Sequence, residues 1–351
     1  MDRLPTQLDQ ITPAWLTAAL SERSPGTRVA AVDIESVIWG TATKVFLRLG
    51  FETRPSGGPP ESVCLKGGFN DDMRAVAGLG YQVESRFYAD VAPSLGDSVP
   101  TCWYSGHSEA ANQGLVIIDD LRAVDAVFGA PFSCPSVDVV ASTLESMAGW
   151  HGRTWNRAGS GSVGWLTVGS RLFRPVAESF LDPDYWAEYM TRPQTSTFDD
   201  ALRDRNRVGR AIHRLWQCDD QEALSVSHGD PHVGNTYSLG DGMLRFLDWQ
   251  TTCLAPWSDD VAYFVAGALG VEERRKHETD LLSHYLRALI ATGAPAPAFD
   301  DAWLAYRRHH LHGLMFALCP PEMQPAEVCT LMGDRYANAA IDHDTLACLG
   351  E

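Results

Sequence analysis

The first third of the chain alternates short apolar runs with turn-forming residues. Five runs rich in β-branched and aromatic residues, each bounded by Gly, Pro or Ser, cover 32–40, 44–51, 63–69, 101–105 and 114–119. Runs of this length and composition are typical of β-strands. We therefore expect one antiparallel sheet of five strands in this part of the chain.

One helix, over about 72–92, interrupts these strands. Its apolar face repeats at helical spacing and includes a single acid: Glu84, Phe87, Tyr88 and Val91. A carboxylate on such a face needs a cationic partner, because burying it unpaired is costly. The strand 63–69 contains one lysine, Lys66, so we expect an ion pair between Lys66 and Glu84.

After about residue 121 the pattern changes to long amphipathic segments. Apolar positions at helical spacing extend over 137–155, 198–217, 259–269, 272–291, 299–318 and 325–339. Between the second and third of these segments, the pattern over 225–251 predicts two short strands around a Gly-Asp-Gly turn at 240–242. The sequence thus predicts an α+β chain with a sheet domain, 1–120, and a mainly helical domain, 121–351.

The inserted hairpin contains the best candidates for chemistry. Asp230 and Asn235 are separated by four residues, and Asp248 follows the hairpin. In phosphoryl transfer one carboxylate aligns the attacking hydroxyl, while an amide oxygen and a second carboxylate hold Mg²⁺. Asp230 fits the first role, and Asn235 with Asp248 the second. We expect the hairpin to bring them side by side, with Leu244, Phe246 and Asp248 on one face of the return strand.

These motifs resemble the aminoglycoside phosphotransferase and choline kinase superfamily, and its ecdysteroid-kinase-like branch most closely. The signature H-G-D-x-x-x-x-N followed by L-D-W is complete, from His228 to Asn235 and in 247–249. Residues 84–88, E-S-R-F-Y, are similar to the E-x-x-F-Y helix of that branch. The resemblance implies a two-lobed protein-kinase-like fold, with nucleotide bound by 1–120 and the acceptor by 121–351.

The resemblance also implies cofactors and roles. ATP and Mg²⁺ would be the cofactors, Asp230 the catalytic base, and Asn235 and Asp248 the metal ligands. Lys66 would contact the phosphates and Glu84 would fix its position.

Four further residues have weaker assignments. Thr41 and Thr43, in the loop after Gly40, would cover the phosphates, although they also fit an ordinary hairpin. Asp119 lies in the apolar segment that would meet adenine. Asp260 would brace the catalytic loop, or would be an acid in the first turn of a helix.

Composition narrows the class of partner. The net charge of −17 disfavours nucleic acid and is compatible with cationic or neutral small molecules. No basic and apolar leader and no apolar run of about 20 residues is visible, so we expect a cytoplasmic protein without a membrane span. Eight scattered cysteines without a C-x-x-C pair indicate neither a zinc ribbon nor a disulfide framework.

The predicted function is transfer of the ATP γ-phosphate to a hydroxyl of a small molecule. An ecdysteroid-like alcohol, a choline-like cation and an aminoglycoside all remain open as acceptors. The alternatives are a nucleotide-binding pseudokinase with a regulatory role, transfer of a nucleotide instead of a phosphate, and a metalloenzyme. The last would use the H-x-x-x-H of His228 and His232 or the histidines of 309–312. Gly229, Pro231 and Gly234 disfavour the helix that the first of these metal sites requires.

Overall fold

The computed structural model describes residues 4–159, 161–320 and 323–351. Its internal contacts divide the chain into two compact units. The sheet unit runs up to Val127 and also contains Leu247–Thr251. The helical unit comprises Phe128–Phe246 and Thr252–Glu351.

The sheet unit is built on five antiparallel strands. Its elements, in chain order, are α1 (Pro13–Arg23), β1 (Arg28–Ile38), β2 (Thr43–Thr53), β3 (Ser62–Gly67), α2 (Asp71–Asp90), β4 (Cys102–Ser108) and β5 (Gln113–Asp119). The strand order is β1-β2-β3-β5-β4. Leu65 of β3 pairs with Ile117 of β5, and both belong to the apolar core that Leu16 of α1 joins. Side chains alternate along a strand, so Lys66 faces away from that core.

Both helices of this unit begin at strong N-terminal signals. The Thr12 side chain accepts a hydrogen bond from the Trp15 amide, and Pro13 follows at the first helical position. The Asn70 side chain caps α2 in the same way. Asp71 in the first turn of α2 adds a favourable interaction with the helix dipole.

The helical unit contains ten α-helices in its described residues and two small β-sheets. Its elements are β6 (Val127–Phe128, at the unit boundary), α3 (Val137–Thr154), α4 (Phe173–Phe180), α5 (Pro183–Tyr189), α6 (Asp200–Arg203), α7 (Arg205–Asp219), β7 (Ser225–Ser227), β8 (Thr236–Ser238), β9 (Arg245–Phe246), β10 (Cys253–Ala255), α8 (Trp257–Ala268), α9 (Val271–Ala291), α10 (Phe299–Phe316), α11 (Ala326–Asp342) and α12 (Thr345–Cys348). The sheets are β6-β8-β9 and β10-β7. All residues of α8 except Gly267 are buried, so this helix forms the centre of the unit.

The α+β class and the five-stranded antiparallel sheet confirm the fold predicted from the sequence. Other details of the prediction are wrong. Helices α1, α4, α5 and α12 were not expected, and the single helix predicted over 198–217 is two helices, α6 and α7. The break falls at Asp204, whose carboxylate caps α7 by accepting from the amides of Asn206 and Arg207. The return strand of the hairpin ends at Phe246 and does not continue to Asp248.

Candidate active site

Lys66 lies between two carboxylates in the sheet unit. Its Nζ is 2.8 Å from Oε1 of Glu84 and 3.0 Å from Oδ1 of Asp248. Lys66 and Glu84 are buried, whereas 32% of the Asp248 side chain is exposed. Burial alone would lower the pKa of Lys66, but the charges of Asp248 and Glu84 outweigh burial and raise it. The predicted ion pair between Lys66 and Glu84 is therefore confirmed, and Asp248 is part of the same cluster.

Two carboxylates against one ammonium leave negative charge in this cluster. Burial, and further the charge of Asp248, raise the pKa of Glu84, although Lys66 acts in the opposite direction. An additional cation beside the partly exposed Asp248 would relieve this excess. Carboxylate oxygens are ligands that Mg²⁺ prefers, so the donor set fits this ion.

The backbone at Asp248 adopts a left-handed conformation, with φ of +63°. This turn breaks the alternation of the strand, and the prediction that Leu244, Phe246 and Asp248 share one strand face is therefore wrong. Left-handed backbone is costly for residues other than glycine and is concentrated at functional sites. The conformation thus supports a special role for Asp248.

Trp249 anchors the segment after Asp248 onto helix α2. Its amide donates a hydrogen bond to Oε1 of Glu84 at 3.3 Å. Its ring stacks on Phe87, with ring centres 4.0 Å apart and planes 9° from parallel. Glu84 therefore receives bonds from Lys66 and from Trp249, which fixes its carboxylate toward the lysine.

Asp230 and Asn235 are in direct contact in the helical unit. Asn235 Nδ2 donates to Oδ2 of Asp230 at 3.2 Å and to the main-chain oxygen of Asp230 at 2.9 Å. Tyr263 of α8 donates its hydroxyl to the other carboxylate oxygen, Oδ1, at 2.8 Å. Because Asn235 uses its amide nitrogen for Asp230, its Oδ1 is the atom that can ligate a cation.

The turn before Asp230 is shaped by two residues of the signature. Gly229 has φ of +80°, a conformation that residues with a side chain rarely adopt. His228 is buried, and its Nδ1 accepts from the Asp230 amide at 3.3 Å. His228 and Gly229 therefore help to set the shape of the loop that leads to Asp230.

Asp260 is fully buried beneath this turn. It accepts hydrogen bonds from the Ser227 hydroxyl at 2.8 Å, the His228 amide at 2.9 Å and the Gly229 amide at 3.0 Å. His151 Nε2 lies 3.1 Å from its Oδ2. Burial alone would raise the pKa of Asp260, but the His151 hydrogen bond and charge, together with the backbone amides, lower it. The geometry is that of a brace for the loop, as the resemblance implies.

A second brace reaches the same turn from α10. His312 Nδ1 lies 2.9 Å from Oδ1 of Asp259, and its Nε2 lies 3.1 Å from the main-chain oxygen of Gly229. Both ring nitrogens face acceptors, so the imidazole is satisfied only when both carry protons. Burial alone would lower the pKa of His312, but Asp259 raises it.

The other candidate residues have local structural contacts. The main-chain oxygen of Thr41 accepts from the Tyr81 hydroxyl, and the Thr43 side chain is buried at the start of β2. Asp119 Oδ1 accepts from the Trp103 indole at 2.7 Å. Contacts with a nucleotide stay predictions for Thr41, Thr43 and Asp119.

The histidines of α10 face different partners. His309 Nε2 lies 3.1 Å from Asp219, and His312 faces Asp259. His310 lies near Glu278 and His343, with one potential ligand atom from each within 4.8 Å of the others.

A guanidinium already occupies this last cluster. Arg274 Nη1 is 2.8 Å from Oε2 of Glu278 and 3.3 Å from Nε2 of His343. A metal ion beside the buried guanidinium would meet strong repulsion. We therefore interpret the cluster as an ion-pair network and not as a metal centre.

The sequence analysis missed Tyr263 altogether, and it named His312 only as part of a possible metal site and not as a brace of the loop. Both lie at buried helical positions, in α8 and α10, where their spacing is that of ordinary core residues. Tyr263 lies three residues after Asp260, the only local signal that could have drawn attention to it.

Comparisons with known proteins agree with the resemblance. Residues 166–294, which include Asp230, Asn235 and Asp248, match the model of the ecdysteroid kinase-like family. No curated protein matches the chain significantly.

Solved structures share the fold at low sequence identity. A choline kinase from Cryptosporidium parvum Iowa II aligns over 90% of this chain and 91% of its own, at 11% identity and a TM-score of 0.53. A spectinomycin phosphotransferase in complex with ADP and spectinomycin aligns over 95% of this chain and 99% of its own, at 10% identity and a TM-score of 0.50. The fold of this chain is therefore kinase-like. In the described residues no helix is both long and apolar enough to cross a membrane.

Proposed function

We propose that this protein is an ATP- and Mg²⁺-dependent phosphotransferase that moves the γ-phosphate to a hydroxyl group of a small molecule. Asp230 accepts and aligns the proton of the attacking hydroxyl. Lys66, held by Glu84, contacts the phosphates. Positioning and electrostatic stabilisation supply most of the catalysis in this type of reaction.

The observation that supports the proposal most is the position of Lys66. A buried lysine bonded to a helix glutamate and to the aspartate of an L-D-W motif is the arrangement expected of a phosphate-binding lysine. An ordinary ion pair on the protein surface would explain neither the burial of Lys66 nor the left-handed backbone of Asp248. The contact of Asp230 with Asn235 provides independent support from the helical unit.

The proposed metal ligands are Asn235, through its amide oxygen, and Asp248, through its carboxylate. A bound Mg²⁺ would neutralise charge on the phosphates. The chain supplies hard oxygen donors at both positions, and it orients the Asn235 amide through two bonds to Asp230.

Nucleotide binding is tested first, by thermal unfolding with ATP, GTP and Mg²⁺, each alone and combined. A ligand that binds only the folded state raises the melting temperature. We expect Mg²⁺ to increase the shift produced by ATP, and Asp248→Asn to lose that increase. Asp241→Asn is the matched control, since Asp241 is an exposed acid in the turn of the same hairpin. No shift at millimolar nucleotide would contradict the proposal.

Turnover is tested by incubating the protein with Mg²⁺ and ATP and a panel of alcohols, with product mass as the readout. The panel contains hydrophobic ring alcohols, amino alcohols and aminoglycosides. We expect one class to gain a phosphate, and Asp230→Asn to lower the rate by about 10²-fold or more while nucleotide still binds. Nucleotide binding without any phosphorylated product would favour the regulatory pseudokinase, and transfer of a nucleotide would appear directly in the product mass.

A further inference from the structure

The hydroxyl of Tyr263 is bonded to the carboxylate that we assign as the catalytic base. The bond from Tyr263 Oη to Asp230 Oδ1 is 2.8 Å long, and Asn235 holds the other oxygen, Oδ2. We propose that Tyr263 is a positioning residue that fixes the plane of the Asp230 carboxylate for phosphoryl transfer. This inference rests on the proposed function, since it deepens the account of the same site.

The ring of Tyr263 is held between two other aromatic rings. Tyr336 of α11 stacks on it with ring centres 5.0 Å apart and planes 16° from parallel. Phe316 of α10 stacks with it at 5.2 Å and 28°. A fully buried ring in such a stack has little freedom to rotate, so the position of its hydroxyl is fixed by packing.

A glycine in the last turn of α10 makes room for this stack. A Cβ atom at Gly313 would lie 2.8 Å from Tyr263 Cδ2 and 2.5 Å from Tyr336 Cδ1. Glycine inside a helix costs about 1 kcal/mol relative to alanine. The packing of the two tyrosines accounts for its use at this position.

The chemistry of Asp230 explains why such positioning matters. A carboxylate can turn about its Cβ–Cγ bond, and an incoming hydroxyl must meet an oxygen lone pair in the correct direction. Bonds to both oxygens stop that rotation. Among the titratable groups of the helical unit that interact with Asp230, His228 Nδ1 accepts from its amide, His232 Nε2 lies 3.7 Å from Oδ2, and Tyr263 bonds Oδ1. The charge of Asp230 also acts on Tyr336 and Cys319. Of these groups, Tyr263 donates a short hydrogen bond to the carboxylate from a buried position in helix α8.

The phenol is a suitable donor for this role. Burial, together with the charge of Asp230, raises the pKa of Tyr263 well above its ordinary value. The hydroxyl therefore keeps its proton over the pH range in which the protein would work. It donates to the carboxylate without competing for the proton of the acceptor.

The test compares Tyr263→Phe with the matched control Tyr336→Phe in the full-length protein. Both variants lose one hydroxyl from the same aromatic stack, but the Tyr336 hydroxyl bonds the main-chain oxygen of Tyr263, 3.3 Å away, and not Asp230. The assay is phosphorylation, with Mg²⁺ and ATP, of the alcohol that the panel above identifies. We expect Tyr263→Phe to lower kcat about tenfold to a hundredfold with KM for ATP changed less than about twofold. Tyr336→Phe should stay within about twofold of the parent rate.

A double-mutant cycle separates positioning from a general structural role. In the Asp230→Asn background, Tyr263→Phe should have almost no further effect on kcat, because the carboxylate it positions is already absent. An equal loss in both backgrounds, or an unchanged kcat in Tyr263→Phe alone, would overturn the inference.

The inference can still be tested if no alcohol is phosphorylated, with the parent protein, Tyr263→Phe, Asp230→Asn and the double variant. That result would contradict the proposed function. Urea midpoints would then still test the contact: non-additive changes in Tyr263→Phe and Asp230→Asn support the positioning of Asp230 by Tyr263, and additive changes exclude it.

Discussion

Lys66 Nζ and Asp248 Oδ1 lie 3.0 Å apart within the sheet unit, with the ammonium buried and the carboxylate partly exposed. Glu84 holds the same ammonium from α2 at 2.8 Å. The lysine therefore contributes to stability as well as to the proposed chemistry, because without it two carboxylates would remain close together in a buried place.

Lys66→Met should lower the free energy of unfolding by about 3–5 kcal/mol, the usual cost of removing one partner of a buried ion pair. Urea denaturation provides the measurement. Adding Glu84→Gln should restore part of the loss, because one of the two unpaired carboxylates is then neutral. Arg48→Met is the control, since Arg48 pairs with Glu35 on an exposed strand surface and its loss should have a much smaller effect on stability. Equal losses in the two variants would contradict the role assigned to Lys66.

Three substitutions at Asp248 should separate its backbone from its carboxylate. At φ of +63°, glycine and asparagine are tolerated, whereas alanine costs roughly 1–2 kcal/mol. Asp248→Ala should therefore be less stable in urea than Asp248→Gly or Asp248→Asn, yet all three should lose the Mg²⁺-dependent part of ATP binding. A variant that keeps this part would disprove the ligand assignment.

The sequence analysis located most of the sheet unit because its signals are local. Strand boundaries coincide with Gly, Pro and Ser, and Glu84 interrupts an apolar helix face, which predicted its pairing with Lys66. Helix α1 was missed although Thr12 and Pro13 form a standard start signal. Its 11 residues are too few for the apolar period to stand out.

Other features of the site depend on tertiary contacts that no local pattern contains. Leu247–Thr251 belongs to the sheet unit, where Trp249 stacks on Phe87, a residue far away in sequence. The left-handed turn at Asp248 directly precedes this contact. Tyr263 resembles any buried aromatic residue until its bond to Asp230 is seen. Spacing identified the residues that we propose as reactive groups, whereas the residues that support them have ordinary core patterns.

Asp260→Ala should destabilise the helical unit by roughly 3–5 kcal/mol. The change leaves the Ser227 hydroxyl and the amides of His228 and Gly229 without their buried acceptor. Urea denaturation and nucleotide turnover should both report the loss, because these donors belong to the turn before Asp230. Asp280→Ala, at an exposed position of α9, should stay within about 0.5 kcal/mol of the parent. Full activity in Asp260→Ala would contradict its role as a brace.

Deprotonation of His309 should lower the free energy of unfolding at alkaline pH. Its Nδ1 faces the main-chain oxygen of Ala305 at 2.8 Å and its Nε2 faces Asp219 at 3.1 Å, so both nitrogens need a proton. Burial alone would lower the pKa of His309, but Asp219 raises it to about 9. Since this value is above the ordinary 6.5, the stabilisation is complete below pH 6.5 and disappears as pH rises to about 9.

Urea denaturation at several pH values between 6 and 9.5 provides the measurement for His309. The raised pKa of His309 corresponds to a loss of up to about 3 kcal/mol in the free energy of unfolding over this pH range. Asp219→Asn should flatten much of this slope. His312, whose pKa is also raised, contributes a slope of the same sign. An unchanged slope in Asp219→Asn would show that the Asp219–His309 pair does not control it.

His310 should be replaceable by an apolar residue, in contrast to its neighbour His309. Neither ring nitrogen of His310 has a hydrogen-bond partner in the described residues, and burial, with the charges of His343 and Arg274, lowers its pKa well below the ordinary value. Leucine removes two buried polar atoms that lack partners, so His310→Leu should leave the unfolding free energy unchanged or raise it by about 1 kcal/mol. His309→Leu should lower it by about 3 kcal/mol or more, because Asp219 would remain buried without its cation.

Thermal unfolding with added Zn²⁺ tests whether His310, Glu278 and His343 bind a metal ion. Because Arg274 lies beside these residues, we expect Zn²⁺ not to stabilise the parent protein. A zinc-dependent stabilisation that His310→Leu abolishes would contradict this interpretation and show that the cluster binds metal.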